Sequence, residues 1–158
     1  VSARPLHRWL LALAPVVFYA GLIFYFSAQT TLPKVGLLSM LKRAFEASLF
    51  SGWIGFDKLE HFTEYAGFGF LIARALRFVG PTSMSTLRGW GVTVALGAAF
   101  GVSDEIHQYF VPGRDSSIFD VAADTLGTAF GAMVWVVFAR LTRPLMGRSA
   151  PGSGRAAI

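Results

Sequence analysis

The sequence predicts an all-α integral membrane protein, a four-helix bundle with an interfacial amphipathic helix between the first and second spans. Two observations lead there. Hydrophobic residues fill 54% of the 158 positions and charged residues only 15%, too apolar a balance for a soluble domain of this size or for a disordered chain. The apolar residues also collect in runs long enough to cross a bilayer, with charges gathered at the run ends. The formal charge of +5 fits basic flanks of membrane spans better than a nucleic-acid partner, because the Lys and Arg are dispersed through ends and loops. The chain has no Cys, which excludes disulfides, thiolate nucleophiles and zinc–thiolate sites.

The first span covers residues 9–26, an uncharged run preceded by Arg4, His7 and Arg8. It ends on Phe24, Tyr25 and Phe26 rather than on small residues, so it reads as a retained span and not a cleaved secretory signal. Pro15 is expected to kink this helix without ending it. Between spans, Leu37, Leu38, Leu41, Phe45 and Leu49 recur at helical spacing, with Lys42, Arg43 and Glu46 on the other face. That pattern suits a helix lying in the interface or, equally, a surface helix packed on the bundle's own loops.

The second span covers residues 62–79, with Arg74 and Arg77 near its end, where long side chains reach the interface. The third is predicted at 90–110. Its uncharged part, 90–102, is too short to cross, so the helix must continue through Ser103, Asp104, Glu105, Ile106, His107, Gln108 and Tyr109 and carry polar groups into the membrane zone. The fourth covers 118–139. Gly97 and Gly101 on the third span, and Gly127 and Gly131 on the fourth, allow close helix approach. One domain of residues 1–140 is expected, followed by a basic, mobile tail over 141–158.

An even number of spans puts both termini on one side. That side collects nine positive charges (Arg4, Arg8, Arg74, Arg77, Arg88, Arg140, Arg143, Arg148, Arg155) against five on the other (Lys34, Lys42, Arg43, Lys58, Arg114). The asymmetry predicts cytoplasmic termini and puts the acidic residues at the outer face. Three helix ends meet there. Asp57, His61 and Glu64 share one side of the second helix, Asp104, His107 and Gln108 one side of the third, and Asp120 and Asp124 are a turn apart on the fourth. Ionisable side chains in a membrane usually face the interior and pair, so these faces are expected to converge on one cluster with Arg114.

Ser27-Ala28-Gln29, Asp57-Lys58-x-x-His61-Phe62-x-x-Tyr65, Asp104-Glu105-x-His107-Gln108, Pro112-Gly113-Arg114 and Asp120-x-x-x-Asp124-x-x-Gly127 together resemble the VanZ-like family of small bacterial membrane proteins, over roughly residues 10–140. The resemblance implies a multi-pass bacterial envelope protein of the inner membrane with about four spans. It brings no established reaction. The family takes its name from a member associated with resistance to the lipoglycopeptide teicoplanin. Asp124 departs from the family pattern, which often has Asn there.

Several chemistries fit the residues themselves. His61, His107 and Glu105 are the candidate proton-transfer groups, while Lys58, Arg114 and Gln108 can receive an anionic, phosphate-bearing lipid. Alternatively, both histidines hold a divalent metal completed by Asp57, Glu64, Asp104 or Asp124. A third reading makes the whole set, Asp120 included, a hydrogen-bonded brace between helix ends. Arg114 can equally pair with Asp120 or Glu105 and fix its loop. Ser116 and Ser117 are expected to cap the fourth helix, with Asp120 as the capping acid. The function classes are therefore an enzyme or binder acting on an envelope lipid and a non-catalytic part: a surface shield or an accessory subunit of a larger membrane complex.

Overall fold

A computed structural model describes residues 6–30, 40, 44–45, 55–81 and 84–146. Among these the chain is all-helical, with α1 (Leu6–Ser27), α2 (Phe56–Val79), α3 (Thr86–Tyr109) and α4 (Ile118–Met146). Most of the predicted connector helix, including Leu37, Leu38, Leu41, Lys42, Arg43, Glu46 and Leu49, lies outside the described residues; of that segment, Met40, Ala44 and Phe45 are helical. The fourth helix runs on to Met146, beyond the predicted boundary at 139, and the tail from 147 onward lies outside the described residues.

Helix α1 continues through Pro15. Its length, and that of the Ile118–Thr142 part of α4, suffices to cross a bilayer, and both are apolar enough to do so. Helices α2 and α3 have 24 residues each, about 36 Å at the helical rise, but charges interrupt their apolar stretches. Ser85 caps α3 by accepting a hydrogen bond from the Arg88 N–H at 3.2 Å.

Glycines set how closely the helices approach. A Cβ at Gly131 would overlap the backbone of Ala66, one at Gly127 that of Phe62, and one at Gly69 that of Thr128, so α2 and α4 meet backbone to backbone. The contact of α3 with α4 follows the same rule, Gly97 receiving Thr128 and Gly101 receiving Asp124. Helix α1 lies on the opposite flank of α2, where Ile23 joins Tyr65, Phe68 and Ile72 in a small apolar core.

Polarity is inverted relative to a water-soluble bundle. Among the described residues, Ser27, His61, Thr93, Asp104, Glu105, Gln108, Asp120, Asp124 and Thr128 are buried, while Leu10, Leu11, Val17, Phe18, Leu126 and Leu141 are exposed. Water would penalise that surface, whereas acyl chains would solvate it, and the polar groups face inward.

Candidate functional site

The buried ionisable groups gather at one end of the bundle, where α1 ends, α2 begins, and the turn between α3 and α4 reverses the chain. That reversal is tight. Arg114 N–H donates to Val111 O at 3.1 Å, with Pro112 and Gly113 in the centre, and Gly113 at φ +82° supplies the left-handed residue such a turn requires. The turn holds Arg114 over the end of α3 and delivers Ser117 to the start of α4.

Two networks meet at this end. In the first, Asp104 Oδ2 accepts from Ser27 Oγ at 2.8 Å and from Gln108 Nε2 at 3.1 Å, while Arg114 Nη2 donates to Gln108 Oε1 at 3.1 Å. This ties α1 to α3 and to the turn. In the second, His61 Nδ1 stands 3.0 Å from Asp124 Oδ1, and Glu105 Oε2 accepts the Ser117 backbone N–H at 2.7 Å. Donor atoms of His61, Glu105 and Asp124 lie within 4.8 Å of one another, on α2, α3 and α4 respectively.

Lys58, in the first turn of α2, forms ion pairs with Asp57 and Asp120. Burial alone disfavours its ammonium, but hydrogen bonds to Asp120 and Asp57 outweigh that and hold it above the ordinary lysine range. Burial likewise works against the Asp57 carboxylate, and the Lys58 hydrogen bond prevails and keeps it below its usual range.

Of the sequence-predicted residues, His61, Glu105 and Asp124 form one group, Asp104, Gln108 and Arg114 a second beside it, and Asp57, Lys58 and Asp120 a third at the mouth. Glu64 is half-buried one turn beyond His61. His107 stands apart from the triad, its ring stacked on Phe24 with centroids 4.4 Å apart. Each helical residue advances about 100°, so Glu105 and His107, two positions apart, point to nearly opposite sides of α3. Glu105 faces α4 and His107 faces α1. Asp120 does not close the capping box: Ser117 Oγ accepts from Phe119 N–H at 3.2 Å, but Asp120 reaches Lys58 and the Ser117 N–H goes to Glu105.

Two residues join the site that were not among the predicted side chains. Ser27, singled out in the sequence only as part of the Ser27-Ala28-Gln29 motif, supplies the α1 donor. Tyr65 is fully buried one turn after His61, with a hydroxyl lacking a partner among the described residues.

A groove of about 350 Å³ opens beside this cluster, lined by Val102, Ile106, Tyr109, Phe110, Ile118 and Val121 together with Glu105, Ser116 and Ser117. A family model described as VanZ/LLP1 matches residues 10–139. No curated protein and no solved structure matches the chain.

Proposed function

The chain belongs to the VanZ/LLP1 family, and from that premise we propose that it is a multi-pass protein of the bacterial inner membrane whose cluster binds an anionic, lipid-linked envelope substrate at the outer leaflet. All four helices cross, with residues 6 and 146 on the cytoplasmic side. One observation supports the binding role above the others: Glu105 belongs both to the buried triad with His61 and Asp124 and to the edge of an apolar groove open sideways. An amphiphile entering from the bilayer would lay its chain along Val102, Ile106 and Val121 and bring its anionic headgroup to the Glu105 end of the groove, where a proton or cation on the carboxylate must offset the repulsion.

Arg114 offers the headgroup a cation. Its Nη2 is engaged by Gln108, but its buried Nε has no hydrogen-bond partner among the described residues. Lys58 is committed to Asp57 and Asp120 and serves the mouth of the site instead. With no cation bound among them, Glu105 and His61 are the groups placed for proton transfer on a bound substrate, while His107 is turned away.

The brace reading, which suits an accessory subunit, is favoured by the closed pairs Lys58–Asp120 and His61–Asp124. An experiment separates the two readings. Glu105→Gln and the groove-filling Val121→Trp are compared with the parent for melting temperature in detergent and for an envelope phenotype such as lipoglycopeptide tolerance. Lost phenotype at parental stability supports substrate binding. Loss of both in proportion supports the brace.

A further inference from the structure

We propose that His61, Glu105 and Asp124 form a binding site for one divalent cation, held by one imidazole nitrogen and two carboxylate oxygens. The inference stands on these three side chains and holds whatever occupies the groove. They come from three different helices, their donor atoms lie within 4.8 Å of one another, and their residues are 9%, 5% and 0% exposed.

The second observation is an imbalance of donors. Glu105 Oε2 is satisfied by Ser117 N–H and Asp124 Oδ1 by His61, but Glu105 Oε1 and Asp124 Oδ2 are buried without a hydrogen-bond partner among the described residues. A buried carboxylate oxygen left in this state is strongly penalised. Neither carboxylate is paired with a Lys or Arg among the described residues: Lys58 pairs with Asp57 and Asp120, and Arg114 Nη2 donates to Gln108. A metal ion among the three side chains would balance both carboxylates at once.

The geometry is compatible with this. Ligand atoms about 2.1 Å from an ion stand at most about 4.2 Å apart, so rotamer adjustments of roughly 1 Å close the triad onto one. Gly101 keeps the space beside Asp124 free, since a Cβ there would meet Oδ2 at 2.8 Å. The donor set, one nitrogen and carboxylate oxygens with no sulfur, suits borderline and hard divalent ions such as Zn²⁺ and Mn²⁺ rather than the soft ions that thiolates hold.

The test uses the full chain purified in detergent through a histidine-free tag, stripped with chelator and reloaded with Zn²⁺ or Mn²⁺ alone. After desalting, about one equivalent of at least one of these ions per chain is expected, with affinity about tenfold or more weaker in Glu105→Gln and Asp124→Asn and unchanged in His107→Ala. Substoichiometric retention of both ions by the folded parent overturns the proposal, as does parental affinity in both carboxamide variants. Should those variants fail to fold, X-ray absorption on the loaded parent decides: a single imidazole with oxygen ligands is expected, and two imidazoles overturn the assignment.

Discussion

His61 Nδ1 and Asp124 Oδ1, 63 positions apart in sequence, stand 3.0 Å apart in the interior of the bundle. Asp124 is fully buried, so its pairing group is a structural requirement as well as a chemical opportunity. Gly101 on α3 leaves room for the carboxylate, and the close approach at Gly127 and Gly131 brings α4 within reach of α2.

Removing the imidazole should therefore leave a buried carboxylate with less compensation. His61→Ala is expected to destabilise the protein by about 3–5 kcal/mol, and Asp124→Asn in the same background should restore part of the loss. His107→Ala forfeits mainly a ring contact with Phe24 and should cost about 1 kcal/mol. Thermal melts in a single detergent compare the three.

The Ser27–Asp104 hydrogen bond should govern how firmly α1 is held. Ser27→Ala removes a donor from a buried carboxylate and is expected to cost about 1.5–3 kcal/mol. Ser103→Ala removes only a bond to its own helix, Ser103 Oγ to Phe100 O at 2.7 Å, and should be near neutral. Proteolysis of the connector between α1 and α2 should accelerate in the first variant alone.

Much of this end of the bundle was legible in sequence. The helical spacing of polar residues on three apolar segments suggested one cluster; His61 and Asp124 do meet across α2 and α4, while Asp104 and Gln108 pair within α3 and reach Ser27 on α1 in a separate network. The role of His107 was not legible in the same way. Residues 104, 105, 107 and 108 span an arc of about 160° on α3, with His107 and Glu105 at its two edges, and which edge faces α1 or α4 depends on helix rotation, which packing decides. Ser117 caps α4 as expected, but the capping acid was misread for a related reason: Lys58, distant in sequence, competes for Asp120, and Glu105 takes the Ser117 N–H instead.

Gly131→Ala tests the packing that positions these groups. Its Cβ would overlap the backbone of Ala66 and Phe70, which cannot move aside as a side chain can, so a loss of about 1–3 kcal/mol is expected. Gly21→Ala, with nothing within 4 Å of its Cβ, should leave the melting temperature unchanged or slightly raised.

Lys58 gives the protein an alkaline limit. Its folded pKa is raised by Asp120 and Asp57, so its contribution is complete below the unfolded value of about 10.4 and is lost as pH rises through the higher folded value. Asp57, lowered by Lys58, contributes above about pH 3.9 and loses its small, partly screened share as pH falls through its folded value. Melting temperature should fall beyond about pH 10.5 in the parent, and this alkaline slope should be shallower in Lys58→Met combined with Asp120→Asn.

The cysteine-free sequence permits single-cysteine labelling for topology. Cysteines at Ser2 and Ser149 should react only with reagents that reach the cytoplasm, and one at Ser116 with an impermeant reagent from outside.

The central claim, that the groove beside Glu105 receives an anionic lipid, is tested most directly by native mass spectrometry of the protein released from membranes of defined composition. The parent should retain an anionic phospholipid in preference to a zwitterionic one with the same acyl chains, and Val121→Trp, which fills the groove, should lose that preference. Equal retention of the two lipids by the parent, or an undiminished preference in folded Val121→Trp, would contradict the account.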